Sequence, residues 1–252
     1  MRAVCTTGTD GHLEPMTARS TPTALRRAAV LLLASFVAAG CGDDGDAPAK
    51  QADTKPDEPR AITAPSADED LSDALGDSGD ALVDAGCSFG TLELGDPDHV
   101  SEDEDLDSPS FPPSSGRHYE DWAPFGLYDE PVPDGNLVHN LEHGGVVAWL
   151  GTDVDDATGE AIADLLDDGE KWIVAPREDI PGLYSAAWGL GLSCPPAALE
   201  KLGAEQAAEL LDAWFEVVES TGSPAEKDVP AYAGAMKEPT PVRDISAETP
   251  EF

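Results

Sequence analysis

Gly145-Val146-Val147-Ala148-Trp149-Leu150 is a continuous apolar run of strand length, and it predicts a buried strand. The chemistry on either side sets its neighbours. Pro133-Asp134-Gly135-Asn136 makes a turn ending in a good N-cap, so residues 137–143 are predicted as about two helical turns, closed by Gly144. Downstream, Asp155 or Asp156 caps a helix to about residue 167 that stops at Gly169, with Ile162, Leu165 and Leu166 on one face. Residues 171–175 predict a strand, 177–182 a turn and 183–192 a second strand. Pro195 or Pro196 opens a longer helix to about Glu219, with Leu199, Leu202, Leu210, Leu211, Trp214 and Val218 at helical spacing. Residues 88–94 read as a further short strand. The order strand, helix, strand, strand, helix predicts an α+β single domain with helices packed on one face of a small sheet. Ferredoxin-like and thioredoxin-like arrangements both satisfy that order, although no Cys-x-x-Cys supports the redox chemistry of the second.

The first 40 residues predict export. Arg26 and Arg27 precede the apolar run 28–39, which ends in Val37-Ala38-Ala39-Gly40-Cys41. A basic flank, a short apolar segment and small residues before a cleavage point make a signal peptide, and the run is too short to span a bilayer. A cysteine directly after small residues resembles the lipobox of bacterial lipoproteins. That resemblance implies cleavage before Cys41, lipid on Cys41, and a protein held to a membrane on its extracytoplasmic side. Translation starts at Met1 or at Met16, since the residues before Met16 add nothing to the signal. Of the four cysteines, Cys5 leaves with the signal and Cys41 takes the lipid. Cys87 and Cys194 remain, and in an oxidising compartment a disulfide between them is the default.

Composition then divides the remainder. Residues 41–85 are rich in Asp, Ala, Pro, Ser and Gly and predict a disordered acidic tether, within which residues 71–83 could form a short helix. Residues 86–237 make the globular domain, and 238–252 a disordered tail. The formal net charge is −37, and losing the signal removes more basic than acidic residues. Such acidity excludes nucleic acid as a partner, because binding it needs cationic groups to replace counterions.

Three of the five histidines fall between residues 118 and 143. On the predicted helix His139 and His143 lie four apart on one face, close enough to share an ion. His118 would reach them from the Pro- and Gly-punctuated segment 111–133. Glu142 is a fourth ligand, or an outer acceptor that orients an imidazole. Three imidazoles suit copper or zinc, and affinity along the divalent series favours copper. Met236 is a distant soft donor to copper. Against this stands a metal-free interaction module, its histidines structural and Glu142 accepting from Arg117 or Tyr128. A metal-dependent hydrolase with Glu142 as base is a third reading, because His139-x-x-Glu142-His143 matches the pattern of inverted zinc proteases. Trp122 and Tyr128 are expected beside the site, and Trp149, Trp172, Trp188 and Trp214 in the core. The acidic run 101–107 reads as a solvated loop, with a weak calcium or magnesium contact as the lesser alternative.

Pro112-Pro113-x-Ser115-Gly116-x-His118, Gly126-x-Tyr128, Val138-His139-x-Leu141-Glu142-His143-Gly144-Gly145-Val146 and Ala187-Trp188-Gly189, taken together, resemble the bacterial domain of unknown function 3105 family. The resemblance spans roughly residues 87–226. It implies an extracytoplasmic, usually membrane-tethered domain with no established activity, and it supplies no catalytic residues.

Overall fold

Seven strands lie side by side in one mixed sheet, with the apolar run at its centre. The computed structural model describes residues 60–165, 170–221, 236 and 238–246. In chain order the elements are α1 (Glu69–Leu75), α2 (Asp77–Ala85), β1 (Ser88–Thr91), β2 (His99–Val100), β3 (His118–Tyr119), β4 (Gly126–Leu127), α3 (Asp134–Glu142) and β5 (Val146–Leu150). There follow α4 (Asp156–Ala163), β6 (Trp172–Pro176), β7 (Leu183–Ala187), β8 (Leu190–Cys194), α5 (Pro196–Leu202), α6 (Ala204–Thr221) and β9 (Arg243–Asp244). The sheet order is β1-β8-β7-β5-β6-β4-β9, while β2 and β3 form a separate parallel pair.

β5 pairs parallel with β6 and antiparallel with β7, so it has strands on both sides. Val147, Ala148 and Trp149 are buried, which is why this stretch has no polar side chain. Successive side chains alternate between faces. On one face Ser185, opposite Ala148, accepts a 3.1 Å hydrogen bond from Trp214 Nε1 of α6. Phe89 continues that row across Leu192 and meets the Trp214 ring at 6.4 Å. α1, α2, α4 and α5 all pack on α6. On the other face Trp149 and Tyr184 lie 6.0 Å apart, and the Arg177 guanidinium covers both Trp149 and Phe111. α3 packs instead on β3 and β5. Arg177 also holds Asp134, the first residue of α3, through two hydrogen bonds.

The α+β expectation describes this architecture. Strands β6-β5-β7-β8 form a parallel βαβ unit, extended by an antiparallel hairpin and closed by a helix. The ferredoxin-like alternative inserts another strand between the parallel strands of each βαβ unit, whereas β5 and β6 are direct neighbours.

Several boundaries are corrected. The segment 183–192 is a hairpin, β7 and β8, turned at Trp188-Gly189, where Gly189 has φ 72°. The helix predicted from Pro196 to Glu219 breaks at Gly203, φ 74°, into α5 and α6. α3 starts at Asp134, two residues before the predicted cap Asn136.

The expected tether is folded over residues 60–85. Asp68 caps α1 by accepting from Leu71 N at 2.9 Å, and Leu71, Leu75 and Leu82 are buried in the core. Low average hydrophobicity hides these few leucines, yet their spacing puts them on one side of each helix. The tail is also folded over 238–246. β9 pairs with β4, Ile245 is buried, and its N–H donates to Phe125 O at 3.0 Å. The predicted signal segment 1–40, Cys41, the expected tether up to residue 59 and the end of the tail lie outside the described residues.

Cys87 and Cys194 form the expected disulfide, 107 residues apart in sequence. It sits one step beyond the Ser88–Ser193 pair and ties β1 to the end of β8. None of the helices in the described residues is long and apolar enough to cross a membrane.

Candidate metal centre

α3 is buried along nearly its whole length because both of its faces are occupied. Leu137 and Leu141 face the core, fully buried. The polar face bonds the main chain of the extended segment beside it. Asn136 Nδ2 donates to Asp121 O at 2.6 Å, and His139 Nδ1 to Tyr119 O at 2.8 Å. Asn140 both accepts from Ala123 N at 2.9 Å and donates to Ala123 O at 2.8 Å. A close approach permits this. A Cβ on Gly135 would stand 2.5 Å from the Tyr119 ring, so the helix lies directly on β3.

His118, in β3, is fully buried, and its Nδ1 donates to Gly116 O at 2.9 Å. A carbonyl oxygen only accepts, so Nδ1 carries a proton in both His118 and His139. The Nε2 atoms of both rings are left as the metal-binding positions. Glu142, one turn after His139 on α3, closes the set: its Oε2 is 3.0 Å from His118 Nε2. That approach lies outside hydrogen-bond geometry, and His118 Nε2 is a buried nitrogen without a hydrogen-bond partner. Burial, together with the neighbouring His143 and His118, pushes the His139 pKa down to about 3, so its imidazole is neutral at physiological pH.

The fourth member is His99. The β2–β3 pair sets His99 beside His118 in register, with ring centroids 4.6 Å apart. His99 Nε2 is 3.9 Å from Glu142 Oε2. One donor atom from each of His99, His118, His139 and Glu142 falls within 4.8 Å of all the others. A zinc ion with bonds of roughly 2.0–2.1 Å needs donors about 3.3 Å apart, so small side-chain rotations close this group onto an ion. Trp122 lies 5.2 Å from His139, and Trp188 6.3 Å from His118, giving the histidines an aromatic wall.

Of the four ligands expected from sequence, the structure brings together His118, His139 and Glu142. His143 is on the same helical face as His139, as expected, but its ring stacks on that of His139, 4.7 Å away and tilted by 24°. Stacked rings direct their nitrogens side by side rather than to one point, so His143 stands outside the converging set. Its carbonyl accepts from Lys171 Nζ at 2.7 Å, and Trp122 lies 5.0 Å from its ring. His99 was missed: it is isolated in sequence, and only the β2–β3 pairing brings it in. Met236 is held near the site through its N–H on Trp122 O, at 3.2 Å. Neither proposed partner of Glu142 reaches it: Arg117 pairs with Glu104, and Tyr128 donates to Pro124 O. Trp122 flanks the site as expected, and Trp188, expected in the core, does so as well.

Residues 99–204, less than half of the chain, match the family described as "Protein of unknown function (DUF3105)". No curated protein and no solved structure matches the chain. The matched span contains all four converging residues and His143, and it ends at the start of α6.

Proposed function

We propose that this is an exported, lipid-anchored metal-binding domain, holding a divalent zinc or copper ion through His99, His118, His139 and Glu142. The observation that carries the reading is the buried His118 Nε2. Its ring is locked by Gly116 O, its second nitrogen has no hydrogen-bond partner, and a carboxylate oxygen stands 3.0 Å away. A buried acceptor facing an anion is costly unless a cation joins them. Three neutral imidazoles and one carboxylate supply that cation's ligands and offset half of its charge. Without a sulfur donor in the group, zinc(II) or copper(II) fits better than copper(I), and the divalent series favours copper. The backbone carbonyls that accept from His118 and His139 fix the tautomers, as outer partners do in metal sites.

The anchoring half of the reading rests on Arg26-Arg27, the apolar run 28–39 and Cys41. A Cys41→Ser variant should leave the membrane fraction and keep any metal.

The metal test is elemental analysis of the exported protein, purified without a histidine tag, beside His118→Ala/His139→Ala. About one copper or zinc per chain in the parent, and none in a folded variant, is the expected result. No metal in either, after equilibration with both ions, would favour the metal-free interaction module. That second reading has one observation of its own: His139 Nδ1 ties α3 to Tyr119 O, a structural use of the ring. The hydrolase pattern gains no support. Its base would be Glu142, which lies inside the donor group, and its second ligand would be His143, which is stacked outside it.

A further inference from the structure

Three of the four converging residues are fixed and His99 is not. The side chains of His118 and Glu142 are 0% and 9% exposed and His139 is buried, while the His99 side chain is 48% exposed. Backbone carbonyls hold the rings of His118 and His139, whereas neither ring nitrogen of His99 has a hydrogen bond among the described residues. His99 also stands on a two-residue strand whose partner in the β2–β3 sheet is equally short.

A cleft of about 350 Å³ opens beside it, lined by His99, Tyr119 and the side chains of Glu102, Glu104, Glu120 and Asp121. Arg117 pairs with Glu104 at 3.0 Å and partly offsets that charge. Glu102, Glu120 and Asp121 are exposed. The His99 ring that lines the cleft also meets the buried His118 ring edge to face, with centroids 4.6 Å apart.

We propose that His99 is the detachable ligand of this site and that the acidic cleft beside it is the route by which a hydrated divalent cation arrives and leaves. This rests on the metal-binding reading above and deepens it: the site loads and releases its ion rather than keeping it as a permanent part of the fold. A permanent structural site would be closed by buried, fixed ligands on every side. Here swinging one exposed ring away leaves the ion on three fixed donors, facing water and carboxylates. Carboxylates along a cleft raise the local cation concentration and the rate of encounter.

The test is stopped-flow binding of copper(II), read by quenching of tryptophan fluorescence, with release followed by a chelator chase. The parent is compared with His99→Ala and with Glu102→Gln/Glu120→Gln/Asp121→Asn. A charge-matched control, Glu205→Gln/Glu209→Gln/Glu216→Gln, alters exposed positions on α6. The cleft variant should bind roughly tenfold more slowly at low salt, with a flatter salt dependence, and the α6 control should match the parent. His99→Ala should still take one copper per chain and release it on the order of tenfold faster. Equal association rates in the cleft variant and the parent would overturn the route. Unchanged release, or complete loss of binding, in His99→Ala would overturn the detachable ligand. A parent that takes up neither copper(II) nor zinc(II) would instead refute the metal reading itself, which the other outcomes leave standing.

Discussion

His99 and His118 are register partners in a parallel pair only two residues long, and their rings meet edge to face at 4.6 Å. One ring is exposed and the other fully buried, so a ligand pair bridges the surface and the interior within a single step of backbone pairing. The energetics of this arrangement can be measured in several ways.

An ion that binds the folded chain alone stabilises it by mass action. At a free concentration 100 times Kd the gain is about 2.7 kcal/mol, which for a domain of this size is a Tm rise of roughly 5–10 °C. Thermal melts with added zinc or copper should show that rise, and a chelator should reverse it. His118→Ala/His139→Ala should show none.

The metal-free protein should lose stability in acid through His139. Its folded pKa of about 3 lies below the ordinary histidine value of 6.5. Between those values the unfolded chain binds a proton that the folded chain refuses, so stability falls as pH drops from 6.5 towards 3. One such proton contributes at most about 1.4 kcal/mol per pH unit. Many carboxylates titrate in the same window, so the readout is a difference. In urea melts of chelated protein at pH 7, 5.5 and 4.5, His139→Gln should show the shallower decline.

Two glycines should respond to alanine with opposite signs. On Gly135 a Cβ would come within 2.5 Å of the Tyr119 ring, whose backbone carbonyl orients His139. Gly135→Ala should cost about 1–3 kcal/mol and weaken metal binding as well. In α4, a Cβ on Gly159 meets only Leu150 Cδ1, at an ordinary 3.8 Å. Gly159→Ala should stabilise by about 0.4–1 kcal/mol and leave metal binding alone. Urea midpoints together with a metal titration separate the two.

Reduction of Cys87–Cys194 opens a closure spanning 107 residues. On the chain-entropy account that costs roughly 4.7 kcal/mol. Cys87→Ser/Cys194→Ser should lower the urea midpoint accordingly, and a reductant should lower the parent to match and leave the variant unchanged.

The sequence shows its local and its strongly apolar features well. Val146–Leu150 reads as a buried strand because nothing polar interrupts it, and Gly144, φ 78°, closes α3 where its chemistry says it should. Cys87 and Cys194 pair as expected for the two cysteines left outside the predicted leader. What escapes is decided at a distance. His99 has no neighbour in sequence that hints at a ligand, and only β-pairing sets it beside His118. The direction of the His143 ring depends on stacking that spacing does not encode. α1 and α2 cover the stretch 71–83 where the sequence offers a single short helix, but a composition that counts aspartates misses that three leucines there are placed to bury. β9 is two residues long, too short for any periodicity.

β1 lies at the margin of the sheet, and the polypeptide just before the helices covers it. Ser66 exchanges two backbone hydrogen bonds with Thr91 across that margin, both 2.8 Å. The cover fits because Gly90 has no side chain, where a Cβ would overlap Ser66 O. At its other end β1 is tied by Cys87 to Cys194. An outermost strand normally offers its unpaired amides and carbonyls to any extended chain that passes. At Thr91 this one is already met by its own polypeptide, so the segment around Ser66 blocks that position to another chain. A protein trimmed to begin at Gly86 would lose that cover, and its molecules would be free to add to one another edge to edge.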